Sequence, residues 1–275
     1  MPVERKVKKE RPTLGLALGG GSARGLAHIG VLKVFEAEGI PVDYLAGTSM
    51  GGLIGAFYAS GMSLKMMHRL AKKIEKRLWF DLTIPKKGII AGEKITQILR
   101  FLTRSCDFAD LKIPFAVSAT DLYSGENITI GEGNLADAVR ATISIPGIFP
   151  PVEWRNCLLV DGGVLNRVPV GIVKEMGAAL IVAVDVGIYI GKRKVGNVFD
   201  VINQTFDIMA REIQKHTISA ADIVIRPDLR DIGPAQYHKV DEAVARGEKA
   251  AREALPEIKK MLGRGIVNEK QNTRA

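Results

Sequence analysis

Only two of the 275 residues are cysteine, Cys106 and Cys157. Neither belongs to a CxxC pair or sits at a metal-ligand spacing, which excludes a disulfide framework and a cysteine-held metal as organising features. Cys157 heads an apolar run and is expected to be a small buried hydrophobe. Such cysteine usage fits a reducing cytoplasm. The chain also lacks any run of about 18 uninterrupted apolar residues, the length a membrane-spanning helix needs. Arg24 breaks the best stretch, residues 14–32. A basic segment does precede the apolar residues 14–21, but Glu4 and Glu10 interrupt it and glycines end the apolar part, unlike a signal peptide. A soluble or peripheral protein is expected. Neither an internal repeat nor an interdomain linker is visible.

Hydrophobic residues make up 47% of the chain and charged residues 25%, as in ordinary globular proteins, and this length supports one sizeable core. The formal net charge is +9. Most of the chain mixes both signs, so the excess reads as solubility, and no nucleic-acid partner is expected. Two sections are more one-sided. One is the N-terminal group Arg5, Lys6, Lys8, Lys9 and Arg11; the other spans residues 65–77.

Short apolar runs alternate with helical patterns, which signals an α/β fold with a largely parallel sheet. Strands are expected at residues 13–18, 42–46, 115–120, 128–130, 158–160, 180–186 and 223–225. Helices are expected from about Gly25 to a stop at Gly39, and over 50–60, 93–102, 135–142, 198–219 and 240–262. The residues at both chain ends read as charged tails.

Three motifs carry chemistry. The first is Gly47-Thr48-Ser49-Met50-Gly51, a G-x-S-x-G pentapeptide between an expected strand and an expected helix. That context suits a nucleophile elbow, in which small neighbours let strand and helix approach and the serine Oγ is exposed. The pentapeptide alone would also fit a plain glycine-serine turn.

The second is Gly19-Gly20-Gly21-Ser22-Ala23-Arg24-Gly25, directly after the first strand. It fails as a dinucleotide loop, because Arg24 falls where the third glycine must pack helix on strand. It fails as a phosphate loop, because no Gly-Lys-Ser/Thr follows. Backbone N–H groups at a helix N-terminus, able to hold an oxyanion, are the better reading.

The third is Leu158-Leu159-Val160-Asp161-Gly162-Gly163, an apolar strand ending in a carboxylate. By itself Asp161 would read as a turn aspartate. Beside the other two motifs it reads as the partner of the serine.

In this order the three motifs resemble those of the patatin-like phospholipase family, and of its small bacterial members in particular. The resemblance extends to Ala119-Thr120-Asp121-Leu122, to the stretch Ile145 to Pro151, and to Asn166-Arg167-Val168-Pro169. It implies a three-layer α/β fold, with a mostly parallel central sheet and helices on both faces. One patatin-like phospholipase domain over residues 13–262 would lie between a basic tail at 1–12 and a charged tail at 263–275.

It further implies a serine acyl-ester hydrolase acting on lipid, with Ser49 as nucleophile and Asp161 as proton acceptor. Gly20, Gly21 and Ser22 become oxyanion donors, while Gly19, Arg24, Gly25, Gly47, Gly51, Gly162 and Gly163 support the motifs. No metal and no cofactor is implied. One departure stands out: Ser22 occupies the position of the usual third glycine, although its backbone N–H survives that change.

An aspartate at its ordinary pKa is a poor base at neutral pH. The apolar approach Leu158-Leu159-Val160 is expected to desolvate Asp161 and raise it. A Ser-Asp-His triad would need His216 or His238 after the acid, and both read as surface residues. His28, just past the glycine loop, is expected to pack or bond locally. An acyltransferase using the same elbow, or a non-catalytic lipid-binding protein of the same fold, are the other readings.

Finally, residues 62–80 pattern as a basic amphipathic segment. Met62, Met66, Leu70, Ile74 and Leu78 would form its apolar stripe, opposite Lys65, Arg69, Lys72, Lys73, Lys76 and Arg77. It could meet an anionic membrane at the cytoplasmic face, or pack as an ordinary surface helix.

Overall fold

The computed structural model describes residues 11–74, 90–187, 196 and 198–263. The basic residues 5–9, the end of the 62–80 segment and most of the C-terminal tail lie outside the described residues.

Among the described residues eight strands form one sheet: β1 (Leu14–Leu18), β2 (Tyr44–Thr48), β3 (Phe115–Asp121), β4 (Asn127–Ile130), β5 (Val152–Trp154), β6 (Cys157–Asp161), β7 (Leu180–Val184) and β8 (Ile223–Ile225). Hydrogen-bonded neighbours follow the order β5-β6-β3-β2-β1-β7-β8, and β4 pairs with β3. β1, β2, β3, β7 and β8 run parallel, whereas β4, β5 and β6 join antiparallel. The helices are α1 (Ala27–Ala37), α2 (Met50–Ala59), α3 (Leu64–Ile74), α4 (Ile90–Leu102), α5 (Leu135–Thr142), α6 (Val170–Glu175), α7 (Val198–Thr217) and α8 (Val240–Gly263). This is the mixed α/β architecture expected. β5 and α6 were not foreseen, since neither is long enough to display a period.

The two sheet faces differ in side-chain size, and the strand alternation explains why. Leu14, Leu16 and Leu18 of β1 point with Leu45, Val117 and Val182 into the larger core, beneath α1, α2, α5 and α8. Ala17, Ala46, Ala116 and Ala183 point the other way, onto Val170, Ile172 and Val173 of α6. Small residues are needed there because α6 lies close. A Cβ on Gly15 would fall 2.6 Å from Ala178 Cβ and 2.9 Å from Val173 Cβ.

β2 begins and ends two residues later than its expected 42–46. Gly47 and Thr48 continue the ladder opposite Val117 and Ser118, although a glycine next to a serine elbow reads as turn. Asp43 sits just before the strand instead. Its carboxylate accepts the Leu14 N–H at 2.7 Å and pairs with both Arg11 Nη atoms, at 2.6 and 2.7 Å. β7 likewise stops at Val184 instead of 186.

Two further expectations are corrected. Cys106 and Cys157 are both only half-buried, because Cys157 starts β6 beside the three-residue β5 and little covers it. In α3, Leu64 and Met67 are the residues packed inward, and Met66 is 52% exposed. Met62 and Leu70 are partly buried against the core, and it is Met66, about 100° round the helix from the buried Met67, that faces outward.

The feature that matters most for function is at β3. Val117 to Thr120 pair with β4 along one edge. β2 pairs up to Thr48↔Ser118, and β6 takes over from Ala119↔Asp161. A strand has two edges, so β2 and β6 share the edge opposite β4 and meet end to end. The carboxyl end of β2 thus faces the carboxyl end of β6.

Candidate active site

Ser49 is the junction of β2 and α2, with φ 54° and ψ −121°. A residue with a side chain rarely takes this conformation, and holding it stores strain. Close packing holds it here. A Cβ on Gly47 would fall 2.5 Å from Gly51 O and Gly52 N, and a Cβ on Gly51 only 2.1 Å from Leu18 O. Both contacts are to backbone, which cannot swing aside. Gly51→Ala is therefore expected to cost at least about 3 kcal/mol and lower Tm by roughly 10 °C, or to abolish soluble expression. Thermal melting of the purified variant checks this; an unchanged Tm would contradict the elbow packing.

Asp161 closes β6 directly opposite. It is 6% exposed. Its N–H donates to Ser144 O at 2.9 Å, and Oδ1 accepts the Gly163 N–H at 2.7 Å. The Ser49 side chain lies near enough to this carboxylate to favour its charged form. Burial pushes the Asp161 pKa up from 3.8 to about 6, against the lowering effects of Ser49, Gly163 and the nearby Arg167 cation. A carboxylate with a pKa near 6 is a far better proton acceptor at neutral pH than an exposed aspartate. Gly162 is packed on Ser118, where a Cβ would come 2.3 Å from the carbonyl oxygen.

The glycine loop runs over the same end of the sheet. The Gly19 N–H donates to Val184 O at 3.0 Å, and the Gly19 carbonyl accepts from His28 Nε2 at 2.7 Å. Gly20 lies against Ser49, since a Cβ on it would be 3.3 Å from Ser49 Cβ. Its N–H, however, donates to Arg167 O at 2.8 Å. With its N–H engaged in this way, Gly20 anchors the loop.

Among the described residues, the N–H groups of Gly21 and Ser22 have no hydrogen-bond partner. Ser22 stands in the left-handed region at φ 49°, where the usual glycine would be relaxed, and its side chain bonds to Tyr237. Arg24 is buried, donating from Nη1 to Gly187 O at 2.9 Å. Gly25 packs on Met50, the residue after the serine.

His28 is fully buried, and burial pushes its pKa down to about 4. It is neutral, with its Nε2 proton on the Gly19 carbonyl. His68 bonds to Asp241 and Lys33, and His216 and His238 are exposed. The site pairs Ser49 with a carboxylate and no imidazole. Sequence reasoning missed Thr142, whose Oγ1 accepts the Ser49 N–H at 2.9 Å. Arg167 stood in the stretch Asn166 to Pro169 noted above, but with no role assigned; its carbonyl holds the loop. Neither has a local signal; both arrive from distant elements.

A family model described as patatin-like phospholipase matches residues 16–174, and the chain belongs to that family. Lysophospholipase NTE1 of Scheffersomyces stipitis is 36% identical over 180 residues, covering 63% of this chain and 12% of its own length. Human patatin-like phospholipase domain-containing protein 6 is 36% identical over 183 residues, covering 64% and 13%. The chain thus spans about an eighth of the length of the curated relatives it matches. Human GIVD cytosolic phospholipase A2 superposes with a TM-score of 0.57 at 10% identity, covering 95% of this chain and 61% of that one. VipD from Legionella pneumophila gives 0.54 at 13% identity, covering 90% and 67%. At such identities the likeness is one of fold.

Proposed function

We propose that this chain is a serine acyl-ester hydrolase that cleaves lipid acyl esters with a Ser49–Asp161 dyad. The meeting of the Ser49 elbow with a buried carboxylate whose pKa is raised to about 6 carries this reading. Ser49 Oγ attacks the acyl carbonyl carbon as its proton passes to Asp161. The N–H groups of Gly21 and Ser22 stabilise the oxyanion. The ester C–O bond then breaks, and Asp161 returns the proton to the departing alcohol. Water, giving a proton to Asp161, attacks the acyl-enzyme; the Ser49 Oγ–acyl bond breaks, Asp161 returns that proton to Oγ, and the fatty acid leaves.

The names of the NTE1 relatives favour a lysophospholipid among the lipid esters. A fluorophosphonate probe should label wild-type protein at Ser49. Acyl esters presented as monomers and as micelles should be hydrolysed, lysophospholipid among them. Absence of both labelling and hydrolysis would refute the assignment.

The finer part concerns where the lipid is met. Among the described residues no helix is long and apolar enough to cross a membrane. The outer side of α3 carries exposed Lys65, Arg69 and Lys73. Beside it a cleft of about 560 Å³ against α1 is lined by Lys33, Lys65, His68 and Arg69. Lys72 is tied to Asp241 at 2.7 Å. This face would contact an anionic leaflet peripherally, at the cytoplasmic side. Each basic side chain near such a surface contributes on the order of 1 kcal/mol. Replacing Lys65, Arg69 and Lys73 by glutamate should weaken binding to anionic vesicles roughly 100-fold, with hydrolysis of a soluble ester unchanged. Equal binding at low salt would leave α3 a surface helix only.

A further inference from the structure

Thr142 is the last residue of α5 and is fully buried. Its single hydroxyl proton goes to the Ser118 carbonyl, at 2.6 Å. A lone pair therefore faces the Ser49 N–H, at 2.9 Å. The methyl group is fixed as well: it packs on Gly52 in the first turn of α2, where a Cβ would lie 2.7 Å from Thr142 Cγ2. Methyl and hydroxyl cannot exchange places. Ser118, which receives the proton, pairs with Thr48, and its neighbour Ala119 pairs with Asp161. One hydroxyl thus ties the backbone of Ser49 to the strand that aligns both members of the dyad.

We infer that Thr142 is a positioning residue for catalysis, holding the strained Ser49 backbone so that Oγ stays aimed at Asp161. It touches no reacting atom and acts through Ser49. Without its hydroxyl the Ser49 N–H, at a residue 7% exposed, would lose its partner. The φ of 54° would then lose a restraint, and rotation about it swings Oγ away from the carboxylate. A displacement of about 1 Å at a reacting group can cost on the order of 100-fold in rate.

The inference rests on Ser49 being the nucleophile, and the test separates the two. Thr142→Val keeps the shape and removes the hydrogen bonds; Thr142→Ser keeps the hydroxyl and removes the methyl. In the valine variant, kcat and the rate of fluorophosphonate labelling should fall about 10- to 100-fold, with KM within about twofold. The serine variant should stay within about threefold of wild type. A merely structural role would lower Tm in either variant while leaving the labelling rate of the folded protein unchanged. If the valine variant does not fold, Thr142→Ala against Thr142→Ser makes the same comparison, the pair differing in the hydroxyl alone. Equal labelling rates with and without the hydroxyl, in protein whose wild type is labelled at Ser49, would overturn this inference alone. Wild type that is not labelled at Ser49 would overturn the serine assignment and this inference with it.

Discussion

Ser49→Ala is expected to lower acyl-ester turnover about ten-thousand-fold or more, with Asp161→Asn nearly as severe. Serine is a weak nucleophile unless a base takes its proton as it attacks. In the proposed dyad that base is the buried Asp161 carboxylate beside the Ser49 side chain. Because the two groups act as a unit, the double variant should be hardly slower than either single one. Steady-state kinetics on purified folded variants measure all three. More than a few per cent of wild-type activity in Ser49→Ala, or losses that multiply in the double variant, would defeat the dyad. Wild-type kcat/KM should also fall tenfold per pH unit below about pH 6, where Asp161 becomes protonated.

The same carboxylate makes the second large effect, on stability, run opposite to activity. Burial raises the folded-state pKa of Asp161 from 3.8 to about 6. The folded protein therefore binds this proton more tightly than the unfolded chain does. Its contribution to stability is fully present below about pH 3.8 and is lost as pH rises through about 6. At pH 8 the ionised, buried carboxylate costs roughly 3 kcal/mol. Asparagine keeps the oxygen that accepts the Gly163 N–H and carries no charge. Asp161→Asn should thus melt above wild type at pH 8, by up to about 10 °C. The gap should close by pH 4. Chemical or thermal unfolding of both proteins across that range decides it; a variant less stable than wild type at pH 8 would show that the native charge is not strained.

Much of this was readable before any coordinates. The apolar runs at Leu14, Phe115, Leu180 and Ile223 announced their strands, because a sheet covered on both faces needs continuous hydrophobicity. Ser49, Asp161 and the glycine loop were readable because an elbow, a strand-ending carboxylate and a row of N–H groups each demand particular residue types at short spacing. Contacts between distant segments were not. The Gly20 N–H is held by Arg167 O, 147 positions later in the chain, and no local pattern states which N–H of a loop is already engaged. Thr142 looks like an ordinary helix end until Ser49 is beside it. The α3 stripe departed at Met66 for another reason: it is apolar, but one residue of helical phase separates it from the buried Met67.

The end-to-end meeting of β2 and β6 on one edge of β3 has a consequence for how this protein would fail. Of the proposed nucleophile and base, Ser49 directly follows β2 and Asp161 ends β6, so neither depends on an independently opening loop. Their alignment has no separate melting step: while Ser118 and Ala119 stay paired, Ser49 and Asp161 remain opposite each other. Amide protons along this junction should exchange with solvent only through global unfolding. Loss of activity in denaturant should then coincide with loss of the sheet, so turnover itself would report the fraction of intact molecules.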